Sequence, residues 1–119
     1  LPGSPRRSAT QTRTTTQARA NGVAAGRLLR RAGVNVDLAP VADVARAGSA
    51  LRREGRIYPG GAASVSRLAA AFAGDLRAAG VEAAYKHFPG MGAATVNTDD
   101  AAARITTPLA ELRATDLRP

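Results

Sequence analysis

The chain has 119 residues, no cysteine and a formal net charge of +8. The missing cysteines exclude a disulfide framework and any thiolate metal site, and no run approaches the roughly 18 apolar residues that a membrane span needs. Seventeen cations against nine acids would suit a nucleic-acid partner, but the arginines are scattered and aromatics make up only 3% of the chain. That pattern fits solvated helix faces better than a base-stacking surface.

A chain of this length makes one small domain. Its many alanines bury little apolar area each. It opens on Leu1 and closes on Arg118-Pro119, just past an apparent helix, so it is expected to be an internal piece of a larger protein. No signal-peptide pattern is visible.

Residues 1–16 are rich in Ser, Thr, Arg and Pro and read as a surface loop, since Thr14-Thr15-Thr16 does not suit a helix interior. Gln17 to Ala32 reads as a helix with Val23, Leu28 and Leu29 among alanines, stopped by Gly33. Val34 to Val41 reads as a strand, β-branched, short and ended near Pro40. Ala42 to Gly61 is irregular, and a connection of that length is usually functional or disordered. Ala62 to Ala79 is the clearest helix, because Val65, Leu68, Ala69, Phe72 and Leu76 form one apolar stripe. Gly80 ends it, and Val81 to Phe88 is the second expected strand. A loop spans residues 89–107, and Pro108 opens a last helix carrying Leu109, Leu112 and Leu117.

Leu29-Arg30-Arg31-Ala32-Gly33-Val34 echoes Leu76-Arg77-Ala78-Ala79-Gly80-Val81. Each is a helix end, a Gly turn and a strand start, as in a repeated αβ unit. Strands alternating with helices of this length predict an α/β fold with a parallel sheet. In such sheets ligands sit at the C-terminal strand ends. Asp43 and the pair Lys86-His87 both fall there.

Lys86-His87 holds the only lysine and the only histidine in a chain with sixteen arginines. Lysine is a compact point donor and arginine a rigid fork, so the pair reads as chosen for chemistry. A cationic donor beside a His suits a ligand with several hydroxyls. The plainer alternative is a buried Lys paired with an acid and a His that is merely hydrogen-bonded. Adjacent strand residues point to opposite faces, so both reach one ligand only if the strand end twists or breaks. The Phe88-Pro89 step is the expected place. Asp99-Asp100 is the only acidic pair; two carboxylates can divide acid and nucleophile roles, or they can simply hold a turn. Asp43 sits where an active-site residue, or one supporting it, belongs. Asp37 is either interior or an ion-pair partner. Arg56, in the long first loop, is either a clamp for a ligand oxygen or one more surface arginine. Gly90-Met91-Gly92 lacks both the Walker spacing and the third Gly of a dinucleotide fingerprint. A lone His without Cys leaves only carboxylates for a metal.

Lys86-His87-Phe88-Pro89-Gly90-Met91-Gly92 closely resembles the signature of family 3 glycoside hydrolases, in their β-N-acetylhexosaminidase branch. Asn35-Val36-Asp37-Leu38-Ala39-Pro40-Val41-Ala42-Asp43 resembles the preceding barrel strand of that branch, and Leu1-Pro2-Gly3 the segment after its Asp-Gln-Glu-Gly-Gly strand. The resemblance runs through essentially the whole chain. It implies part of a (β/α)₈ barrel, here about two strands with flanking helices, and hydrolysis of terminal β-linked N-acetylhexosamine with retention. It implies a carbohydrate substrate and no cofactor. Lys86 and His87 match the family's sugar-binding pair, and Arg56 its substrate-binding Arg. The nucleophile Asp is expected on a later strand, beyond Pro119, so the chain alone should be inactive. This sequence departs from the pattern where the branch uses an Asp-Ser-His triplet as acid/base: it reads Asn97-Thr98-Asp99, placing Asp99 in the position of the His. Met91 replaces the second His of the signature and reads as an apolar plug. An Asp can act as acid/base if burial raises its pKa. The alternative is a barrel of the same fold that binds carbohydrate without turning it over.

Overall fold

The computed structural model describes residues 2–119; Leu1, the first residue of the Leu1-Pro2-Gly3 comparison, lies outside them. A 3-10 turn at Ala9–Gln11 precedes α1, Thr15–Arg31. There follow β1 (Val36–Asp37), α2 (Ala50–Arg53), α3 (Ala62–Ala78), β2 (Glu82–Ala83) and α4 (Leu109–Ala114).

Helix α1 starts two residues earlier than the sequence suggests. Thr14 caps it: its hydroxyl accepts from the Gln17 N–H at 3.2 Å, while Gln17 Oε1 accepts from the Thr14 N–H at 3.3 Å. Thr15 and Thr16 then fall in the first turn, where no preceding turn crowds a β-branched side chain. Both long helices end alike. Gly33 and Gly80 have φ of +79° and +84°. The Val34 N–H donates to Leu29 O, and the Val81 N–H to Leu76 O. Gly33 and Gly80 donate in turn to Arg30 O and Arg77 O. This is the Schellman geometry twice over, so the echo noted in the sequence is a structural repeat.

The α3 stripe faces the core as expected, with Val65, Leu68, Ala69, Phe72 and Leu76 all buried. The sequence picks out the large apolar residues of α1 but assigns no face of it to α3. The buried residues of α1 are the small Ala18, Gly22, Ala25 and Gly26 together with Asn21, which donates to Arg7 O and Thr12 Oγ1, while Val23, Leu28 and Leu29 are only partly buried. The cause is the closeness of the two helices: a Cβ on Gly22 would lie 2.3 Å from Phe72 O, and one on Gly26 would lie 2.5 Å from the Ala79 Cβ. Only the smallest residues fit where two helix backbones meet in this way.

β1 and β2 pair in parallel, Val36 opposite Glu82 and Asp37 opposite Ala83. The two expected eight-residue strands shrink to these pairs plus one bridge further on, Val41 opposite Lys86. The offset between partners is 46 residues at Val36–Glu82 and 45 at Val41–Lys86, so the first strand carries one extra residue in between. This bulge falls on Leu38-Ala39-Pro40, where Pro40 has no N–H to give to a ladder. Past it the pairing resumes: the Lys86 N–H donates to Pro40 O at 3.1 Å, and the Ala42 N–H to Lys86 O at 2.7 Å.

Val81 is buried in the α1–α3 core and Ala83 packs against it, so the helices cover one face of the strands. The opposite face holds exposed Val36 and Leu38. Residues 42–61 are irregular as expected apart from α2, and they are well packed, with Leu51, Ile57 and Tyr58 buried. Residues 89–107 form no helix or strand. The final helix is short, and its Leu109 is exposed. Among the described residues, no helix is long and apolar enough to cross a membrane.

Candidate functional site

The strands run side by side in one direction, so their C-terminal ends lie together. A cleft of ≈ 210 Å³ opens there, lined among others by Asp43, Tyr85, Lys86, His87 and Asp116. Lys86 closes the β2 pairing, and the chain turns at once through His87, Phe88 and Pro89. The break therefore comes at the Lys86–His87 step itself, two residues before the expected Phe88–Pro89 step. The peptides Ala39–Pro40, Lys86–His87 and Phe88–Pro89 are all cis. Lys86 and His87 both line the cleft.

Asp43 organises this turn. Its side chain is fully buried. Oδ2 accepts from the His87 backbone N–H at 3.2 Å and lies 2.7 Å from His87 Nδ1. Oδ1 accepts from the Met91 N–H at 2.5 Å. One buried acid thus fixes the His ring and both ends of the loop that follows. A carboxylate facing Nδ1 selects the tautomer with the proton on that nitrogen, which leaves Nε2 as the ring's outward polar atom. The loop lies directly on the strand-end backbone: a Cβ on Gly92 would sit 1.8 Å from Val44 O. Met91 is half-buried in it, with its N–H spent on Asp43.

Asp37 answers to Lys86. Burial pushes its carboxyl above the ordinary range, and the Lys86 ammonium partly reverses the shift. Lys86 thus acts electrostatically on a half-buried acid and also lines the cleft. Tyr58, in the first long loop, is pushed up to about 12, chiefly by burial and secondarily by Tyr85.

Arg56 and Asp99 belong to a second group, and neither lines the cleft. Arg56 pairs with Glu54 at 3.3 Å. Glu54 also accepts from Asn97 Nδ2 at 3.0 and 3.1 Å, and Asn97 Oδ1 accepts from the Asp99 N–H at 3.1 Å. The two loops are therefore joined through Glu54 and Asn97. Asp99 and Asp100 are exposed, and Asp99 sits in an Asx turn.

Sequence reasoning missed Arg46 and Asp116. Arg46 forms ion pairs with Glu111 and Asp116, and the Asp116 hydrogen bond above all holds its guanidinium in the charged form. The partners lie 65 and 70 residues away along the chain. No local pattern marks such a pair, and Arg46 is one arginine among sixteen.

Parallel strands backed by helices, with polar groups gathered at the C-terminal strand ends, define this as a segment of an α/β domain and are what part of an α/β barrel shows. A model described as the glycosyl hydrolase family 3 N terminal domain matches residues 4–119, and the chain belongs to that family. The domain is a TIM-barrel-type (β/α)₈ domain. Among similar proteins, the β-hexosaminidase LpqI of Mycobacterium tuberculosis is 38% identical over 109 residues, covering 92% of this chain and 28% of LpqI. A β-hexosaminidase of Xanthomonas campestris is 36% identical over 103 residues, covering 87% of this chain and 30% of the relative. The solved structure of M. tuberculosis LpqI superposes with a TM-score of 0.81 at 36% identity, over 94% of this chain and 33% of that one. A family 3 β-N-acetylglucosaminidase from Paenibacillus also gives 0.81, at 28% identity, over 89% and 20%. The chain thus spans about 28–30% of the length of these curated relatives.

Proposed function

We propose that the full-length protein is a glycosidase that removes terminal β-linked N-acetylhexosamine with retention of configuration, and that residues 1–119 form part of its barrel domain. The observation that carries this reading is the Asp43–His87 contact beside Lys86, at the strand-end cleft of a family 3 chain. Lys86 supplies an ammonium and His87 a ring nitrogen oriented by a buried carboxylate. Two such donors grip neighbouring hydroxyls of a sugar ring and strengthen as positive charge develops on it. Arg56, paired with Glu54 outside the lining of this cleft, is the further sugar contact that the family resemblance implies. The names of the relatives support β-hexosaminidase activity.

A second reading is favoured by one observation. Asp99, in the position the resemblance gives to the acid/base, is exposed, lies outside the lining of the cleft and is engaged in a local turn with Asn97. On this reading the protein binds carbohydrate without turning it over. Kinetics of the full-length protein with an aryl N-acetylglucosaminide separate the two. Turnover that falls about 10²-fold or more in Asp99→Asn and is rescued by an activated leaving group assigns the acid role. Sugar binding without turnover selects the second reading. Absence of both removes carbohydrate from the proposal.

A further inference from the structure

The loop that carries His87 is held on one side by Asp43, and the structure shows what holds it on the other. The Arg46 N–H donates to Gly92 O at 3.1 Å, tying the end of the loop to the strand-end segment. The Arg46 guanidinium then spans Glu111 and Asp116, which come from the last helix and the turn after it. Asp116 in turn abuts the middle of the loop: a Cβ on Gly90, whose φ is +133°, would sit 2.7 Å from the Asp116 Cβ. Asp116 also lines the same cleft as Lys86 and His87.

This arrangement is a poor stabiliser. The Asp116 side chain is 1% exposed. Its Oδ1 and the Arg46 Nε are both buried without a hydrogen-bond partner. A buried pair that leaves two polar atoms unmet costs desolvation that apolar packing would avoid. What it supplies is a fixed distance between three segments that no helix or strand joins.

We infer that Arg46 and Asp116 are positioning residues, a clamp that sets the height of the His87–Gly92 loop and through it the sugar-gripping pair Lys86–His87. The inference rests on the reading of that pair given above. It assigns the last helix a function: α4 and the turn after it brace the site. A misplacement of about 1 Å in a gripping group can cost about 10²-fold in rate.

The test uses the full-length protein with Arg46→Lys, Asp116→Asn and, as a control for stability alone, Val65→Ala in the α1–α3 core. Arg46→Lys keeps the charge but has no fork with which to bridge two carboxylates. The clamp predicts that both site variants lose roughly 10- to 100-fold in kcat/KM, mostly in kcat. Val65→Ala lowers the melting temperature by as much or more and leaves kcat/KM of the folded enzyme within about threefold. Amide hydrogen exchange reads the clamp without substrate: protection at residues 87–92 should fall in Arg46→Lys and Asp116→Asn and hold in Val65→Ala. Unchanged exchange at 87–92 in both site variants overturns the clamp, and so does a loss of activity that Val65→Ala reproduces. If the wild-type protein neither binds nor cleaves N-acetylhexosaminides, the sugar reading fails, and the exchange result still decides the clamp.

Discussion

The two αβ units share one local design and differ in what they do with it. Each helix ends in the same glycine turn and feeds a parallel strand. The first unit ends in Asp43, buried and fully engaged. The second ends in Lys86 and His87, half-buried and facing a cleft. At the glycine turns burial runs the other way, since Leu76 and Val81 of the second unit are sealed while Val34 of the first is 36% exposed. A short motif therefore fixes the path of the backbone, while neighbours decide whether a strand end supports or presents.

The largest effect should come from exchanging support for presentation. In the full-length protein, Asp43→Asn removes a carboxylate that serves two backbone N–H groups and a His ring. It should lower kcat/KM about 10²-fold and stability by about 2 kcal/mol. His87→Ala should match the kinetic loss while costing well under half that stability. Equal stability losses in urea melts would erase the distinction between the units.

Tyr58 lies in the core that both units share and tests how tightly it is closed. Below its ordinary value of 10.0 the ring is neutral whether the chain is folded or not. Above that, the unfolded chain ionises first, because the folded value is about 12. Stability should thus fall between pH 10 and 12, by about 3 kcal/mol at most. Tyr58→Phe should flatten this limb in urea melts across that range. An unchanged limb would mean that the core opens before the tyrosine titrates.

The helix faces come next. Gly22→Ala places a methyl against Phe72 O and should cost about 2 kcal/mol. Gly74→Ala on α3 meets nothing within 4 Å and should gain about 0.5–1 kcal/mol. Thermal melts that rank the two the other way would refute the close approach of α1 and α3. The smallest difference is expected between Gly33→Ala and Gly80→Ala. Both positions need positive φ and neither Cβ meets a close contact, so each should cost about 1 kcal/mol, to within a few tenths of each other.

The sequence made the α/β class, the α3 stripe and the glycine turns readable, because periodicity and positive φ are local requirements. Asp43, Lys86 and His87 were readable because strand ends in a parallel sheet are where ligands gather. The α1 face was not, since two glycines in a helix look like weakness until a second backbone is seen against them. Arg46 and Asp116 were not, because their meaning is a contact across most of the chain. Arg56 and Asp99 were marked as separate candidates, and the Glu54–Asn97 link between their loops has no signature in either segment.

The extra residue in the first strand has a consequence for inheritance. Side chains alternate along a strand, so one residue more or fewer between Asp37 and Val41 would turn Asp43 from the His87 loop to the opposite face. Composition can drift there, but length cannot. Aligned by structure, related chains that keep the Asp–His contact should show substitutions across residues 38–42 and no gaps.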